Sequence, residues 1–284
     1  MGRTQNVGVV GGHPVKTRPT VIRRACVAGS LYPDDPERLL AELDALLAAA
    51  RSSEDASGAL AIVSPHAGYR YSGPVAASAF RQLMSRRAAM RRAVVLGPAH
   101  FTRLRGMALP RWDAFETPLG AVRVDEHART LAAALPSVVL SDAAHHGEHS
   151  IEVQLPFLQR VLGSQVEIVP VVVGQVEANR VADLIDALWP DESTAVVVST
   201  DLSHYHDQAT ASRLDQRTAD AIVRRDPAAI GDYDACGRAA LRGLLEFTRR
   251  RDLRVRQIDL RTSGDTAGVK SRVVGYGAFG IYST

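Results

Sequence analysis

The sequence predicts an α/β fold, a single domain built on a mixed, mainly parallel sheet flanked by helices. Three observations predict it. Apolar runs at residues 61–63, 93–96 and 195–199 each stop at a Pro, Gly or polar loop, the form of short buried strands. Between the first two, residues 74–86 carry Val75, Ala79, Phe80 and Leu83 at helical spacing, which makes a strand–loop–helix–strand unit. Each run also delivers chemistry just past its stop. His66 follows in Ser64-Pro65-His66-Ala67-Gly68-Tyr69, His100 in Gly97-Pro98-Ala99-His100, and Asp201, His204 and His206 in residues 200–206. Ligands gather beyond the carboxyl ends of the strands in an open parallel sheet, so the three loops are expected to converge.

Taken in order, residues 1–20 are polar, contain Gly and Pro and show no periodicity, and they read as a flexible leader to an ordered body over 21–284. After a turn at 28–33, Asp35-Pro36-Glu37 opens a helix to residue 50, with Leu39, Leu40, Leu43, Leu46 and Leu47 on one face. Residues 51–58 read as a surface loop. Pro74 is placed in the first turn of the next helix, where its missing N–H costs nothing. Beyond the His100 loop, 105–109 and 121–124 read as strands around a turn-rich segment at 112–120, an antiparallel excursion at a sheet edge. A helix at 126–135 and a short strand at 138–140 lead into a polar segment ending at Ser150. The helix expected at 151–162 would offer free N–H groups near Ser150 and Val153 to an anion. Residues 166–173 form a strongly apolar strand, followed by helices at 176–188, 208–225 and 239–247. Closing strands are expected at 254–260 and 273–282, the second broken by Gly275, Gly277 and Gly280.

At 284 residues and 46% apolar composition, the chain can bury one large core. No run reaches membrane-spanning length and the first twenty residues lack the apolar stretch of a signal peptide, so a cytoplasmic protein without membrane contact is expected. Cys26 and Cys236 are too few for a disulfide framework, and in the cytosol both would be reduced. The net charge of +3 arises almost wholly from Arg, Lys standing only at Lys16 and Lys270. The Arg clusters at 86–87, 91–92 and 249–251 fall at expected helix ends, where cations suit the helix dipole. With aromatics at 5% there is no basic face interleaved with stacking residues, which excludes nucleic acid as a partner.

Two histidines at matched strand ends, with a third loop supplying a carboxylate and more imidazoles, argue for a metal or catalytic site. A neighbouring His could transfer protons if it titrates near neutrality. Asp201 could cap a helix or orient His204. On residue type alone Cys236 reads as a small buried hydrophobe and Cys26 as structural. His145 and His146 read as a solvated loop, and His127 and His206 as surface. Gly68 and Gly73 either let the backbone approach a ligand or are turn residues.

Five ordered stretches together resemble the Memo-like protein family. They are Ser64-Pro65-His66-Ala67-Gly68-Tyr69, Leu96-Gly97-Pro98-Ala99-His100, the run Glu148-His149-Ser150-Ile151-Glu152-Val153-Gln154-Leu155-Pro156, Ser199-Thr200-Asp201-Leu202-Ser203-His204 and Cys236-Gly237-Arg238. That family is similar in fold to the LigB-type class III extradiol dioxygenases, which hold non-haem iron on two His and one carboxylate. The resemblance implies a LigB-like fold with a metal-sized pocket. Carried over by motif, it implies His66, His100 and Cys236 as metal ligands, the cysteine standing where the dioxygenases have a carboxylate. It implies His149, Asp201 and His204 in the same pocket as catalytic groups.

A thiolate shifts metal preference toward softer ions, so the expected cofactor is an iron or copper ion and the expected function a metal-dependent, dioxygenase-like redox enzyme acting on a small substrate. The alternative is a non-catalytic signalling module that uses the same pocket to bind a peptide or small anion. A radical-SAM protein is the pathway partner that the resemblance implies. Two geometric expectations follow. The imidazole nitrogens of His66 and His100 should lie within about 4 Å of each other. Cys236, ahead of a helix, should be held as thiolate by the helix dipole.

Overall fold

The computed structural model describes residues 20–52, 58–189 and 191–284. Residues 1–19 of the expected leader, and most of the expected 51–58 loop, lie outside the described residues.

The chain opens with β1 (Ile22–Arg23) and α1 (Pro36–Ala49), where the Asp35 side chain accepts the Arg38 N–H and Leu39, Leu43 and Leu47 are buried. β2 (Ala61–Ser64), α2 (Tyr69–Arg81), β3 (Arg92–Pro98) and β4 (Met107–Leu109) follow. A hairpin of β5 (Ala114–Thr117) and β6 (Gly120–Arg123) precedes α3 (Glu126–Ala133) and β7 (Val138–Leu140). Three short helices come next, α4 (Asp142–His145), α5 (His149–Glu152) and α6 (Leu155–Leu162), then β8 (Glu167–Val173), α7 (Ala178–Leu188) and β9 (Thr194–Ser199). The chain closes with β10 (His204–His206), α8 (Gln208–Val223), α9 (Arg238–Arg250), β11 (Arg254–Thr262), α10 (Ser263–Thr266) and β12 (Val273–Tyr282).

The main sheet runs β10-β12-β2-β9-β3-β8-β4-β7, with β11 added against β12. Its four central strands, β2, β9, β3 and β8, are parallel, and the flanks are mixed. This is the mixed α/β sheet expected. Alternate residues of the central strands enter opposite cores: Ile62, Val95 and Val197 on one face, Val63, Val94 and Val196 on the other. α1, α2 and α6 cover the first face through Leu39, Phe80 and Phe157. α7, α8 and α9 cover the second through Val181, Ile222 and Leu244. Because β9 slots between β2 and β3, the loops after all three strands emerge side by side. No helix among the described residues is long and apolar enough to cross a membrane.

Several local expectations are corrected. α2 begins at Tyr69 and takes Pro74 into its interior. Gly68 O accepts the Tyr71 and Ser72 N–H groups at 2.8 and 3.0 Å, so the helix is nucleated ahead of the proline, which removes one bond from a helix buried along its inner face. Gly73 serves helix packing, since a Cβ there would come within 2.9 Å of Leu46 Cδ1. The single helix expected at 151–162 is two, because Pro156 fits only the opening turn of α6. Part of the turn-rich segment at 112–120 is strand β5, which pairs β1 and β6 in a separate three-stranded sheet. β12 is continuous through its glycines; at Gly275 a side chain would collide with the buried Asp215 carboxylate.

β1 also anchors a polar hub invisible to periodicity. The Arg23 guanidinium donates to Glu152 Oε2 at 2.6 Å, to Glu148 O at 2.7 Å and to His145 O at 3.0 Å. Glu152, fully buried, also accepts the Cys26 and Val27 N–H groups, the Tyr32 hydroxyl at 2.8 Å and the Cys26 thiol at 2.9 Å. Residues 23–32 are thereby pinned to α5, the helix that carries His149.

Candidate metal centre

His66 leaves β2 two residues past Ser64, and its N–H donates to Asp201 Oδ1 at 2.8 Å, which ties the β2 and β9 loops together. Its ring orientation follows from counting hydrogens. Ser199 Oγ donates its one hydrogen to Ser150 O at 2.6 Å and accepts the Gln154 amide at 2.8 Å. It is therefore an acceptor for His66 Nδ1, 2.9 Å away, and that nitrogen carries the proton. The Nε2 lone pair is left facing Cys236 Sγ at 3.3 Å. Burial, then the charges of His100 and His149, depress the His66 pKa well below the ordinary value, so the ring is neutral, the form that binds metals.

His100, at the end of the β3 loop, is fixed by a carboxylate. Glu148 Oε1 accepts its Nδ1–H at 2.9 Å and Glu148 Oε2 accepts its backbone N–H at 2.7 Å, so Nε2 is again the free nitrogen. Burial pushes the Glu148 carboxyl up, but the bonds and charge of His100 and the Ser150 N–H outweigh it and bring it down to about 2. The Ser150 N–H expected to await an anion is thus taken by Glu148, at 3.0 Å. His149 stacks on His100 with ring centroids 4.7 Å apart and meets the edge of His66 at 5.4 Å. Burial lowers its pKa, partly opposed by the Glu148 charge.

Cys236 arrives from the far end of the sequence. Its N–H donates to Asp201 O at 3.2 Å, and the Gly237 N–H donates to Thr200 Oγ1 at 2.8 Å. The approach requires glycine, because a Cβ at Gly237 would lie 2.7 Å from Thr200 Cβ and 2.8 Å from Ser199 O. Gly237→Ala should cost about 1–3 kcal/mol of stability by overpacking and displace the thiol, read out by urea unfolding together with metal titration. The thiolate expectation is overturned: burial, then the Asp201 charge, push the Cys236 thiol up to about 12. The residue stands ahead of the Gly237 N-cap of α9, and burial first, then the Asp201 charge, outweigh the hydrogen bonds that would favour the thiolate. Asp201 caps no helix; burial raises its pKa, the His66 N–H pulling the other way.

The ligand atoms of His66, His100 and Cys236 lie within 4.8 Å of one another, a looser bound than the spacing expected for the two imidazoles. His100, Glu148 and His149 form a second group meeting the same limit. The first set fits a soft or borderline ion, because each imidazole has its Nδ1 engaged and its Nε2 unbound by a carboxylate or hydroxyl, and a thiol completes the set. His204 opens β10 and is half-buried, while His149 makes the ring contacts with His66 and His100. His127, His146 and His206 are exposed, as expected.

His145 is corrected: it is buried, its Nε2 lies 3.0 Å from Ala108 O, and burial lowers its pKa to about 4. The Ser141 side chain caps α4 and the turn carries the ring against Phe115. Sequence reasoning missed Glu148, Ser199 and Gln154 as orienting groups. Ser199 offered a signal, a hydroxyl closing an otherwise apolar strand, because a buried hydroxyl needs partners.

A profile of the Memo-like protein family matches residues 23–280. A MEMO1 family protein of Aeropyrum pernix is 35% identical over 90% of this chain and 98% of its own. That of Thermotoga petrophila is 34% identical over 89% and 97%, and that of Desulfurococcus amylolyticus 32% over 92% and 99%. A solved structure, of an uncharacterized protein from Escherichia coli, is similar with a TM-score of 0.47 at 14% identity, covering 76% of this chain and 98% of that one. The profile match takes in every motif that builds the centre, from Ser64 to Arg238, and the chain belongs to the Memo-like family.

Proposed function

We propose that the protein is a metal-dependent redox enzyme that holds an iron or copper ion on His66 Nε2, His100 Nε2 and Cys236 Sγ and acts on a small molecule. One observation carries the reading. Both imidazoles have their Nδ1 atoms committed, to Ser199 and Glu148, so two Nε2 atoms and a thiol lie within 4.8 Å of one another. When bound, such an ion supplies Lewis acidity and one-electron chemistry. The chain's own groups do the rest. Cys236 gives up the proton it shares with His66 Nε2 when an ion takes that position. His149, neutral and beside the Glu148 carboxylate, is the group placed to take or return a substrate proton, at a ring nitrogen. Asp201 holds the His66 loop by accepting the His66 N–H, and His204 stands half-buried at the start of β10.

Anaerobic reconstitution with Fe(II) or Cu(I), followed by oxygen consumption in the presence of a reductant, tests the proposal. About one ion per chain and metal-dependent consumption are expected, both abolished in His66→Ala. A protein that takes up neither ion contradicts it and leaves the peptide- or anion-binding module as the better reading.

Ser199→Ala separates orientation from ligation. Removing the acceptor of the His66 Nδ1–H frees the ring tautomer, so affinity for the ion should fall by about 10–100-fold with all three ligands still present. Nitrogen NMR of the imidazole should show the tautomers mixing.

A further inference from the structure

His100 and Cys236 also form one wall of a cleft of about 1450 Å³, larger than the roughly 300–1,000 Å³ typical of small-molecule pockets. Its lining is strongly cationic. Arg103, Arg105, Arg180, Arg238 and Arg242 face it, against only Glu177 and Asp232. Asp232 is shared by Arg238 and Arg242 at 3.3 Å each, and the carboxylate beside Arg180 is Asp183 at 4.0 Å. Neither the Arg103 nor the Arg105 side chain has a hydrogen-bond or ion-pair partner among the described residues.

The segment carrying these two arginines follows His100 directly, turning through residues 100–102 before Arg105 bridges to Gln175. From residue 101 to 105 exposure alternates, with Phe101, Arg103 and Arg105 outward and Thr102 and Leu104 turned in. Backbone bonds hold it in place: Gln175 N–H donates to Leu104 O, and Gly106 N–H to Gln175 O, both at 2.9 Å. Since even an extended chain rises only about 3.3 Å per residue, the arginine backbones lie no farther than roughly 10 and 17 Å from His100, with the exposed Phe101 between them in sequence.

We infer that this cleft binds an elongated organic oxyanion, a carboxylate or a phosphate ester, with its anionic end on Arg103 and Arg105, its middle against Phe101 and its reacting end at His100 and Cys236. Guanidinium pairs with either oxyanion through parallel N–H bonds, and a cleft of one sign concentrates the opposite charge. Assignment of the reacting end rests on the metal-site reading; the anion site does not.

Calorimetric titration of metal-free protein with citrate and, separately, with pyrophosphate tests the inference. Saturable binding of at least one probe is expected, weakened about 10-fold or more in Arg103→Ala/Arg105→Ala and unchanged in Arg213→Ala, an exposed arginine outside the cleft. Preference for citrate assigns the carboxylate, and preference for pyrophosphate the phosphate. No saturable binding of either probe, or equal weakening in Arg213→Ala, overturns the inference. Cu(I) affinity should be the same in the double variant as in the wild type. Loss of anion binding with metal binding intact therefore leaves the proposed function standing, and a wild type that binds the probes but no metal does the reverse.

Discussion

Cys236→Ala should lower Cu(I) affinity by more than about 100-fold, beyond the 10–100-fold typical of losing an outer partner of a ligand. The variant keeps His66 and His100 with their orienting groups, so two imidazoles remain where a soft three-donor set stood. Cys236→Asp should lose Cu(I) affinity equally but keep Fe(II), since a carboxylate hardens the site. The ordering is the test: Cu(I) falls in both variants and Fe(II) survives only with Asp. Anaerobic titrations with a competing chelator measure it. If Cys236→Ala binds both ions as the wild type does, the cysteine is packing and the ligand assignment fails.

The largest stability effect is expected at Glu152. It is fully buried, and removing it strands the Arg23 guanidinium, itself only 4% exposed, among backbone carbonyls. Breaking a buried ion pair from one side costs about 3–5 kcal/mol, so Glu152→Ala should lose that much in urea unfolding. The pH dependence has a definite sign. Burial pushes the Glu152 carboxyl up, but the Cys26 thiol, the Arg23 guanidinium and the Cys26 and Val27 N–H groups outweigh it and hold it below its ordinary value. A depressed carboxyl stabilises the fold fully above the unfolded-state value near 4.3 and loses that contribution as pH falls through its lower folded value. Glu152→Gln should therefore show a shallower loss of stability between about pH 5 and the acid limit than the wild type. A loss below about 1 kcal/mol in Glu152→Ala would mean that residues 23–32 are held by packing alone.

What could be read from the sequence was what local pattern encodes. The valine-rich runs and their punctuating Pro and Gly located β2, β3, β8 and β9, and the loops beyond them carried His66, His100 and Asp201. The placement of β9 between β2 and β3 depends on long-range pairing such as Val63 with Val198, and no local spacing reports it. His145 was misread because a polar stretch of this kind is usually solvated, and only the packing of α4 beneath Phe115 buries the ring. The Arg23–Glu152 hub escaped for a related reason: each residue looks like an ordinary surface charge until β1 and α5 are brought together. The state of Cys236 is not legible from its place ahead of a helix, because its burial and the charge of Asp201, thirty-five residues earlier, arise only from the fold.

X-ray absorption on the Cu(I)-loaded, reduced protein tests the central claim most directly, because sulfur scatters differently from nitrogen and oxygen. The account predicts one sulfur and two imidazole nitrogens around the ion, from Cys236, His66 and His100, with the sulfur signal lost in Cys236→Ala. An ion surrounded by nitrogen and oxygen alone, as the neighbouring His100, Glu148 and His149 group would hold it, would contradict the account.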